Sequence, residues 1–480
     1  MKSAFKTCRI FILLAAGPWL AAMPAQAGDV SKQPARSTPA WLRDGVIYEI
    51  FPRDFSSAGN LDGVTAQLDR LKDLGVTILW TMPIQPIGEK GRKGSLGSPY
   101  SIKDYYAVDP DYGTVDDYKR LVSEAHKRGL KVIMDVVPNH TAWDSVLMKH
   151  PEFYKQDAKG NIIPPLPEWT DVASLNYASP QLRAYMIAMF KYWIQTCDVD
   201  GFRCDVASMV PTDFWVQARA ELEKTKPDIM MLAEASKPEL LTNAFDIDYS
   251  WSLLSTLNDV LLHGAPASNL RGSWEDSLRQ FPQNALHMRI TDDHDESRAI
   301  ARYGVQGALA SSAFMFSLDG VPLIYNGMEV GDATESGDPA LFDKLQVFWA
   351  PKERPPLREI YHGLIQLRKQ HAAFCNNDVD WLHNSDETNV VTLMRRDDND
   401  EFVVVINFSN RPISGRVEVQ NSGEFEPVQI SGMPKLPGGD FPLCHLGGFE
   451  WRIYHRMVPK YTESTQKTNV VAAVAGGVGH

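Results

Sequence analysis

Charged residues end several apolar segments of this sequence. In "VDGFRCDVAS", residues 199–208, Arg203 and Asp205 interrupt a stretch that is otherwise typical of a buried strand. Because residues two positions apart point to the same face of a strand, we expect this arginine to hold the carboxylate ionised and oriented. A structural ion pair at the end of a strand is the alternative interpretation of this stretch alone.

Polar residues follow other apolar segments in the same way. "DVVPNH", "LAEAS" and "TDDHDESR" add carboxylates and histidines, namely Asp135, His140, Glu234, His294 and Asp295. Alone, each of these also has a structural explanation, such as a carboxylate that holds strand ends together. As a set they indicate hydrolysis of a glycosidic bond, which needs a carboxylate nucleophile, an acid for the leaving oxygen and negative surroundings for the transition state. Crowding would raise the pKa of one carboxyl group and leave that of another low.

The segments that carry these residues alternate between two patterns from about residue 44 to 375. Eight apolar runs, each followed by an amphipathic stretch, are "GVIYEIF", "VTILWTM", "KVIMDVV", "DGFRCDV", "IMMLAEA", "AFDIDYS", "LHMRITD" and "VPLIYNG". Alternating strands and helices imply a parallel sheet, and eight units suit a (β/α)8 TIM barrel better than an open, doubly wound sheet. The carboxyl ends of barrel strands converge on one rim, so the polar residues are expected to face one cavity.

Two regions depart from this alternation. A Pro- and Trp-rich excursion at about residues 141–178 follows the third strand, and connections of such length are more often functional than structural. Trp143 and Trp169 in this excursion are candidates either for sugar platforms or for packing the small domain. Residues 381–456 alternate with period two and predict a C-terminal antiparallel β-sandwich, which leaves 28–380 as the catalytic barrel. The tail, 457–480, lacks helix caps and periodicity and is predicted to be disordered.

The first 27 residues have the three-part composition of a secretory signal peptide. Lys2, Lys6 and Arg9 precede the apolar run "IFILLAAGPWLAA", and "AQA" stands before Gly28. A membrane anchor is disfavoured because the run is short and broken by Pro18. We therefore predict export to the periplasm or the medium, with no membrane attachment after cleavage. Removing three cations from the 48 Lys and Arg leaves 45 against 60 Asp and Glu, a net charge of −15 that disfavours nucleic acid as a partner.

Four cysteines lie beyond this segment, at positions whose spacing matches no zinc or redox motif. Cys197 and Cys204 are predicted to be buried thiols. Cys375 and Cys444 could pair in an oxidising compartment, and the sequence leaves this open.

The motifs resemble those of the α-amylase superfamily of retaining glycoside hydrolases, glycoside hydrolase family 13. "DVVPNH", "GFRCDVAS", "LAEAS" and "TDDHDESR" are similar to its four motifs and stand in the same order, and "SPYSIKDYYAVDPDYGT" and "VPLIYNGMEVG" are further similar stretches. The resemblance covers about residues 44 to 455. It implies a barrel with an unusually short B domain and an exported α-glucan hydrolase. Such an enzyme cleaves α-1,4 bonds of starch-like polysaccharides or maltooligosaccharides through a covalent glycosyl-enzyme, with retention at the anomeric carbon.

Residue by residue, the resemblance implies Asp205 as the nucleophile, Glu234 as the acid/base and Asp295 as the carboxylate that stabilises the transition state. The residues that it places around the same sugar are Tyr100, His140, Arg203 and His294, with Asp135 as a structural member of the first motif.

Several positions depart from the family pattern. Ser208 and Met209 stand where many endo-acting members carry a Lys-His pair for the leaving-side sugars, so an exo-acting α-glucosidase or a transglycosylase of the same family is the alternative. Asn139 stands where many members bind calcium, but Ser174 replaces the acid expected to join it. The resemblance thus implies no required cofactor and leaves calcium open. Asp293 replaces the asparagine that the family commonly carries directly before the residue at the position of His294, and the sequence alone does not explain this change.

Two functions of other classes compete with this interpretation. A carbohydrate-binding protein on a decayed barrel would have lost a catalytic carboxylate, yet all three are present. A metal-dependent barrel enzyme could use His140 and His294 with Asp205 as ligands, and it would lose all activity with a chelator. The sequence specifies neither the oligomeric state nor the preferred chain length of the substrate.

Overall fold

The computed structural model describes residues 29–349, 357–436 and 440–458. The predicted signal peptide and residues 459–480 of the predicted disordered tail lie outside these ranges. Within them, no helix combines the length and the apolar composition needed to cross a membrane.

Eight short parallel strands close a barrel in which each strand pairs with its neighbours in sequence order and β8 pairs with β1. Apart from the first residue of β3, every strand residue is buried. The strands are Ile47–Ile50 (β1), Ile78–Thr81 (β2), Lys131–Val136 (β3), Gly201–Cys204 (β4), Met230–Ala233 (β5), Ile247–Tyr249 (β6), His287–Arg289 (β7) and Val321–Tyr325 (β8). Each lies inside one of the eight apolar runs, and the predicted (β/α)8 barrel is confirmed.

Helices surround the barrel. The longer ones are Leu61–Thr65 with Leu68–Leu74, Val115–Lys127, Pro180–Cys197, Thr212–Glu223, Trp251–His263, Asn269–Gln280, Ala299–Ser317 and Leu357–Gln370, and the shorter ones are Ala40–Arg43, Pro52–Phe55, Leu240–Asn243 and Asp338–Phe342. Local sequence explains several ends: Thr114 and Asp117 form a capping box, and Gly75 ends its helix with φ 104°. The helix after β7 is interrupted at Gly304, with φ 70° and ψ 172°.

The core has two main parts. Large side chains fill the barrel interior, among them Ile47, Trp80, Ile133, Leu232 and Met288. A more extensive cluster packs the outer face of the strands against the helices. Since the interior is filled with side chains, the barrel is closed below its rim and its interior leaves no room for a ligand.

The excursion after β3 is a small antiparallel hairpin with 3-10 turns. Its strands, His140–Ala142 and Val172–Ser174, pair so that His140 lies opposite Ser174. The hairpin therefore begins at His140, one residue before the predicted start of the excursion.

Two antiparallel sheets form the C-terminal region, as predicted. The five-stranded sheet contains Val379–Trp381, Val390–Arg396, Asp400–Asn407, Trp451–Met457 and Glu426–Pro427, and the two-stranded sheet contains Ile413–Arg416 and Leu443–Leu446. Apolar residues from both sheets pack together, including Val403, Val405 and Leu446.

The four described cysteines are all buried and unpaired. The prediction of buried thiols at Cys197 and Cys204 is confirmed. Cys375 and Cys444 do not form the disulfide that the sequence left open: the Cys375 Sγ donates to the Arg368 carbonyl oxygen at 3.4 Å.

Candidate active site

A cleft of about 470 Å³ opens where the carboxyl ends of the barrel strands meet. Six of the seven side chains predicted for catalysis and substrate binding line it: Tyr100, His140, Asp205, Glu234, His294 and Asp295. Two larger clefts, of about 630 and 820 Å³, contain none of them. The candidate active site is therefore the smaller cleft at the rim.

Arg203, the seventh predicted residue, lies fully buried beneath this cleft and connects three carboxylates. Its Nη1 lies 3.1 Å from Asp135 Oδ1 and 2.9 Å from Asp205 Oδ1. Its Nη2 lies 2.9 Å from Glu234 Oε2, at ion-pair rather than hydrogen-bond geometry. A buried arginine is tolerated only when its charge is compensated, and these carboxylates provide that compensation. The ion pair expected between Arg203 and Asp205 is present.

The two oxygens of Asp205 differ in their contacts. Oδ1 accepts the hydrogen bond from Arg203, whereas Oδ2 has no hydrogen-bond partner among the described residues. His140 Nε2 lies 4.0 Å from Oδ2. Burial and the Glu234 charge raise the pKa of Asp205, and Arg203 opposes them. One oxygen is thus held in place by Arg203, whereas the other is buried beside His140 and accepts no hydrogen bond from the described residues.

Glu234 is positioned by the backbone that follows Asp205. The Val206 N–H donates to Glu234 Oε2 at 2.7 Å. Val206 has φ 42° and ψ 45°, a left-handed conformation that is costly for a β-branched residue and is found mainly where function requires it. The Glu234 side chain keeps 19% of its surface exposed, against 8% for Asp205. The acid/base candidate is therefore the more accessible of the two.

His294 lies between two acids and a tyrosine. Its Nδ1 lies 2.5 Å from Glu49 Oε1, and its Nε2 lies 2.7 Å from the Tyr100 hydroxyl and 3.3 Å from Asp295 Oδ2. Burial lowers the pKa of His294, but the charges of Asp295 and Glu49 outweigh it and raise the pKa to about 10. His294 is therefore a cation at neutral pH, beside the most exposed of the three carboxylates.

Glu49 is a site residue that the sequence interpretation missed. It lies fully buried in β1 and orients His294 through the contact described above. Burial raises the pKa of Glu49, and the charge of His294 opposes this. The available signal was a lone acid inside the apolar run "GVIYEIF", which is the same kind of signal that identified Arg203.

Tyr100 lines the cleft and contacts Asp135, which is fully buried and does not line it. The Tyr100 hydroxyl donates to Asp135 Oδ2 at 3.0 Å, and its ring stacks on the His294 ring with centroids 5.2 Å apart. Burial raises the pKa of Asp135 to about 6, against the opposing charge of Arg203. Asp135 therefore contacts the cleft only through its neighbours Tyr100 and Arg203.

The excursion contributes one wall of the cleft. Trp169 lines it and meets the His140 ring edge-on, with centroids 5.5 Å apart. Burial lowers the pKa of His140 to about 4, so this histidine is neutral at pH 7. Trp143 instead donates its indole N–H to the Thr170 carbonyl oxygen and does not line the cleft. Of the two candidate sugar platforms, only Trp169 is in place.

Lys93, from the loop after β2, is a second site residue that was not predicted. It lines the cleft, and its Nζ lies 3.0 Å from Asp171 Oδ1 in the excursion. The contact connects two loops that are distant in sequence, so no local sequence pattern predicts it.

The donor chemistry around Asn139 does not fit a calcium site. Its amide nitrogen lies 3.2 Å from His140 Nδ1, and Ser174 supplies a hydroxyl rather than a carboxylate. Calcium prefers several carboxylate and carbonyl oxygens. In the described ranges, no group of three or more His, Cys, Asp or Glu side chains could hold a metal ion.

Asp293 shapes the turn that carries Asp295. Its Oδ1 accepts the backbone N–H groups of Asp295 and Glu296, both at 3.0 Å, and its Oδ2 has no hydrogen-bond partner in the described part of the chain. Burial and the Asp295 charge raise the pKa of Asp293 well above its usual range, while His294 opposes them. A protonated carboxyl group has the shape of an amide and the same acceptor oxygen. This explains how an acid can stand where related motifs carry asparagine.

Replacing Asp293 with asparagine should therefore preserve activity and remove a pH-dependent loss of stability. Because the folded-state pKa is raised, the stability contributed by this group is complete below about pH 4 and is lost as pH rises through the folded pKa. We expect the Asp293→Asn variant to match the wild-type melting temperature near pH 4 and to exceed it by roughly 2 to 4 °C at pH 8. Asp293→Ala, which lacks the acceptor, is the control and should lose activity. A constant difference across pH would show that Asp293 is ionised.

The barrel and its rim of carboxylates define a site of the glycoside hydrolase class. The family model described as "Alpha amylase, catalytic domain" matches residues 43–159 and 168–405. The chain therefore belongs to the α-amylase family, a family of glycoside hydrolases, and the resemblance drawn from its motifs is confirmed.

Curated proteins similar to this chain are named for several different activities. The α-amylase MalA of Haloarcula japonica is 29% identical over 406 residues, which cover 80% of this chain and 58% of that protein. A cyclomaltodextrinase of Geobacillus thermopakistaniensis is 28% identical over 420 residues, which cover 78% of this chain and 70% of that protein. The chain thus spans less than two thirds of the length of the first of these relatives.

Solved structures match over most of the chain. An α-amylase from Lactobacillus plantarum is 31% identical, with a TM-score of 0.77 over 87% of this chain and 100% of that chain. A maltogenic α-amylase from Thermotoga neapolitana is 30% identical, with a TM-score of 0.78 over the same shares.

Proposed function

We propose that the protein hydrolyses α-1,4-glucosidic bonds in α-glucans or maltooligosaccharides, with retention at the anomeric carbon. The observation that carries this proposal is the arrangement around Arg203, which joins Asp205 and Glu234 and leaves Asp205 Oδ2 without a hydrogen bond from the described residues. Two carboxylates on one guanidinium favour the short separation of retaining enzymes, since inverting enzymes need room for a water between them. Relatives named α-amylase, cyclomaltodextrinase and maltogenic amylase support the substrate class.

In the first step, Asp205 Oδ2 attacks the anomeric carbon while Glu234 protonates the leaving oxygen. Arg203 favours the ionised form of the nucleophile through its contact with Oδ1, against the burial and the Glu234 charge that raise the pKa of Asp205. Mutual repulsion disfavours a second negative charge beside the first, so the carboxylate pair as a whole can supply one nucleophile and one acid.

In the second step, Glu234 takes a proton from water while the water oxygen attacks the anomeric carbon. The bond from that carbon to Asp205 Oδ2 breaks, which releases the sugar and restores both carboxyl groups. Asp295 faces the positive charge that develops on the sugar ring, and its contact with the His294 cation orients it. His140, which is neutral, can hydrogen-bond a sugar hydroxyl without adding a positive charge that would oppose this transition state.

Exo-acting cleavage or glycosyl transfer is the second candidate function. Ser208 is exposed and Met209 is half-buried on the turn after Asp205, and neither lines the cleft. This side of the site therefore lacks the charged pair with which endo-acting members bind leaving-side sugars. If the leaving-side sugars bind weakly, the sugars bound on the other side of the cleft determine the length of the product. Relatives named cyclomaltodextrinase and maltogenic α-amylase are compatible with this second function.

A timed product profile from maltoheptaose tests both candidates. We expect short maltooligosaccharides whose newly formed reducing ends are initially the α-anomer by proton NMR. The same profile is expected with EDTA, because the donors around Asn139 do not suit calcium. Glucose as the sole product would favour the exo-acting enzyme, and products longer than the substrate would favour transfer. Release of the β-anomer would contradict the retaining mechanism, and loss of all activity with EDTA would show that a metal is needed.

A further inference from the structure

The cleft of about 630 Å³ lies apart from the candidate active site. It is bounded by strands β6 and β7 and by two helices, Trp251–His263 and Asn269–Gln280, and it shares no lining residue with the active-site cleft. Its walls combine polar groups with the aromatic rings of Trp251, Trp274 and Phe281. Its volume falls in the range of sites for small molecules.

Three side chains at this cleft form a hydrogen-bonded series. Ser277 Oγ lies 3.1 Å from His287 Nε2, and His287 Nδ1 lies 2.5 Å from Asp248 Oδ1. An ionised carboxylate only accepts hydrogen bonds, so Asp248 holds the imidazole proton on Nδ1. Nε2 is then free to accept the proton of the Ser277 hydroxyl. This is the order of nucleophile, base and orienting acid found in serine hydrolases of unrelated folds.

The solvent exposure of the three side chains decreases from the serine to the histidine to the aspartate. Asp248 is fully buried, His287 is nearly buried, and Ser277 is half-buried and lines the cleft together with His287. Asp248 Oδ2 has no hydrogen-bond partner in the described ranges, where His287 is also its one ion-pair contact. A positive charge that forms on His287 would therefore be stabilised by the buried Asp248 carboxylate, on which Arg289 also acts.

We propose that Ser277, His287 and Asp248 form a second catalytic site, which hydrolyses short-chain carboxylic esters. Ser277 Oγ attacks the ester carbonyl carbon, and His287 Nε2 takes up the hydroxyl proton. The bond from the carbonyl carbon to the alcohol oxygen then breaks, and His287 returns the proton to that oxygen. Water, deprotonated by the same nitrogen, hydrolyses the acyl-serine, which releases the acid and restores Ser277.

The test uses the purified protein with p-nitrophenyl acetate and with a fluorophosphonate label. We expect Ser277→Ala to lower p-nitrophenol release by about tenfold or more and to abolish labelling. The substitution removes the nucleophilic hydroxyl and leaves the rest of the side chain unchanged. Peptide mass spectrometry should place the acetyl or phosphonyl group on Ser277. Ser273, four residues earlier on the same helix, lines the same cleft, and Ser273→Ala is the matched control that should keep both activities.

Hydrolysis of maltoheptaose should stay within about twofold of wild type in both variants, since neither serine lies at the active-site cleft. The ester site and the proposed glucan hydrolysis can therefore fail independently. Equal labelling of wild type and Ser277→Ala, or a label on another residue, would overturn the proposal. Ester hydrolysis that persists unchanged in Ser277→Ala would overturn it as well.

Discussion

Replacement of Asp205 with asparagine should lower hydrolysis of maltooligosaccharides by about 10⁴-fold or more. The amide has the same shape, yet its oxygen is a poor nucleophile. Because the amide is neutral, it also no longer compensates the charge of Arg203. Oδ2 of Asp205, which accepts no hydrogen bond from the described residues, is the atom that the proposed mechanism uses, so the loss should appear in kcat rather than in KM. The measurement is initial rates on maltoheptaose over a range of concentrations.

Two controls separate chemistry from folding. Asp332 is another buried aspartate paired with a buried arginine, Arg298, but it lies outside the cleft, so Asp332→Asn should keep kcat. In Asp205→Ala, added azide should restore turnover from an activated glucosyl substrate and form a β-glycosyl azide, because azide would enter from the side of the missing nucleophile. A wild-type rate in Asp205→Asn would refute the assignment of the nucleophile.

Replacement of Arg203 with lysine should lower kcat by roughly 10² to 10³-fold. Lysine keeps the charge but has a single ammonium group, which cannot contact Asp135, Asp205 and Glu234 in the geometry of the planar guanidinium. The carboxylates would then repel one another, and the nucleophile would take up a proton more readily. We also expect a loss of about 3 kcal/mol in the free energy of unfolding, since a buried ion network is broken.

Arg219 offers a matched comparison for this variant. It is also buried, and its Nη1 lies 2.7 Å from Asp246 Oδ2, yet neither residue lines the cleft. Arg219→Lys should therefore lower the melting temperature and leave kcat within about twofold of wild type. If both arginine variants lost kcat to the same extent, Arg203 would have a structural role only.

Much of the fold could be predicted from the sequence because its signals are local. Each barrel strand lies within one apolar run, and caps such as Thr114 and Gly75 mark the ends of helices. The helix after β7 shows the limit of this approach, since its interruption at Gly304 was not predicted from the sequence.

The sequence by itself determined that Asp205, Glu234 and Asp295 would share one cleft, because residues that follow the strands of a parallel barrel, here β4, β5 and β7, must meet at its rim. Only the tertiary structure decided how these groups are held and charged. Glu49 reaches His294 from 245 positions away, and the pKa values of Asp293 and Asp205 depend on burial and on neighbours that folding brings together. Strand position follows from local patterns, whereas protonation and contacts depend on distance and solvent exclusion, which exist only in the folded chain.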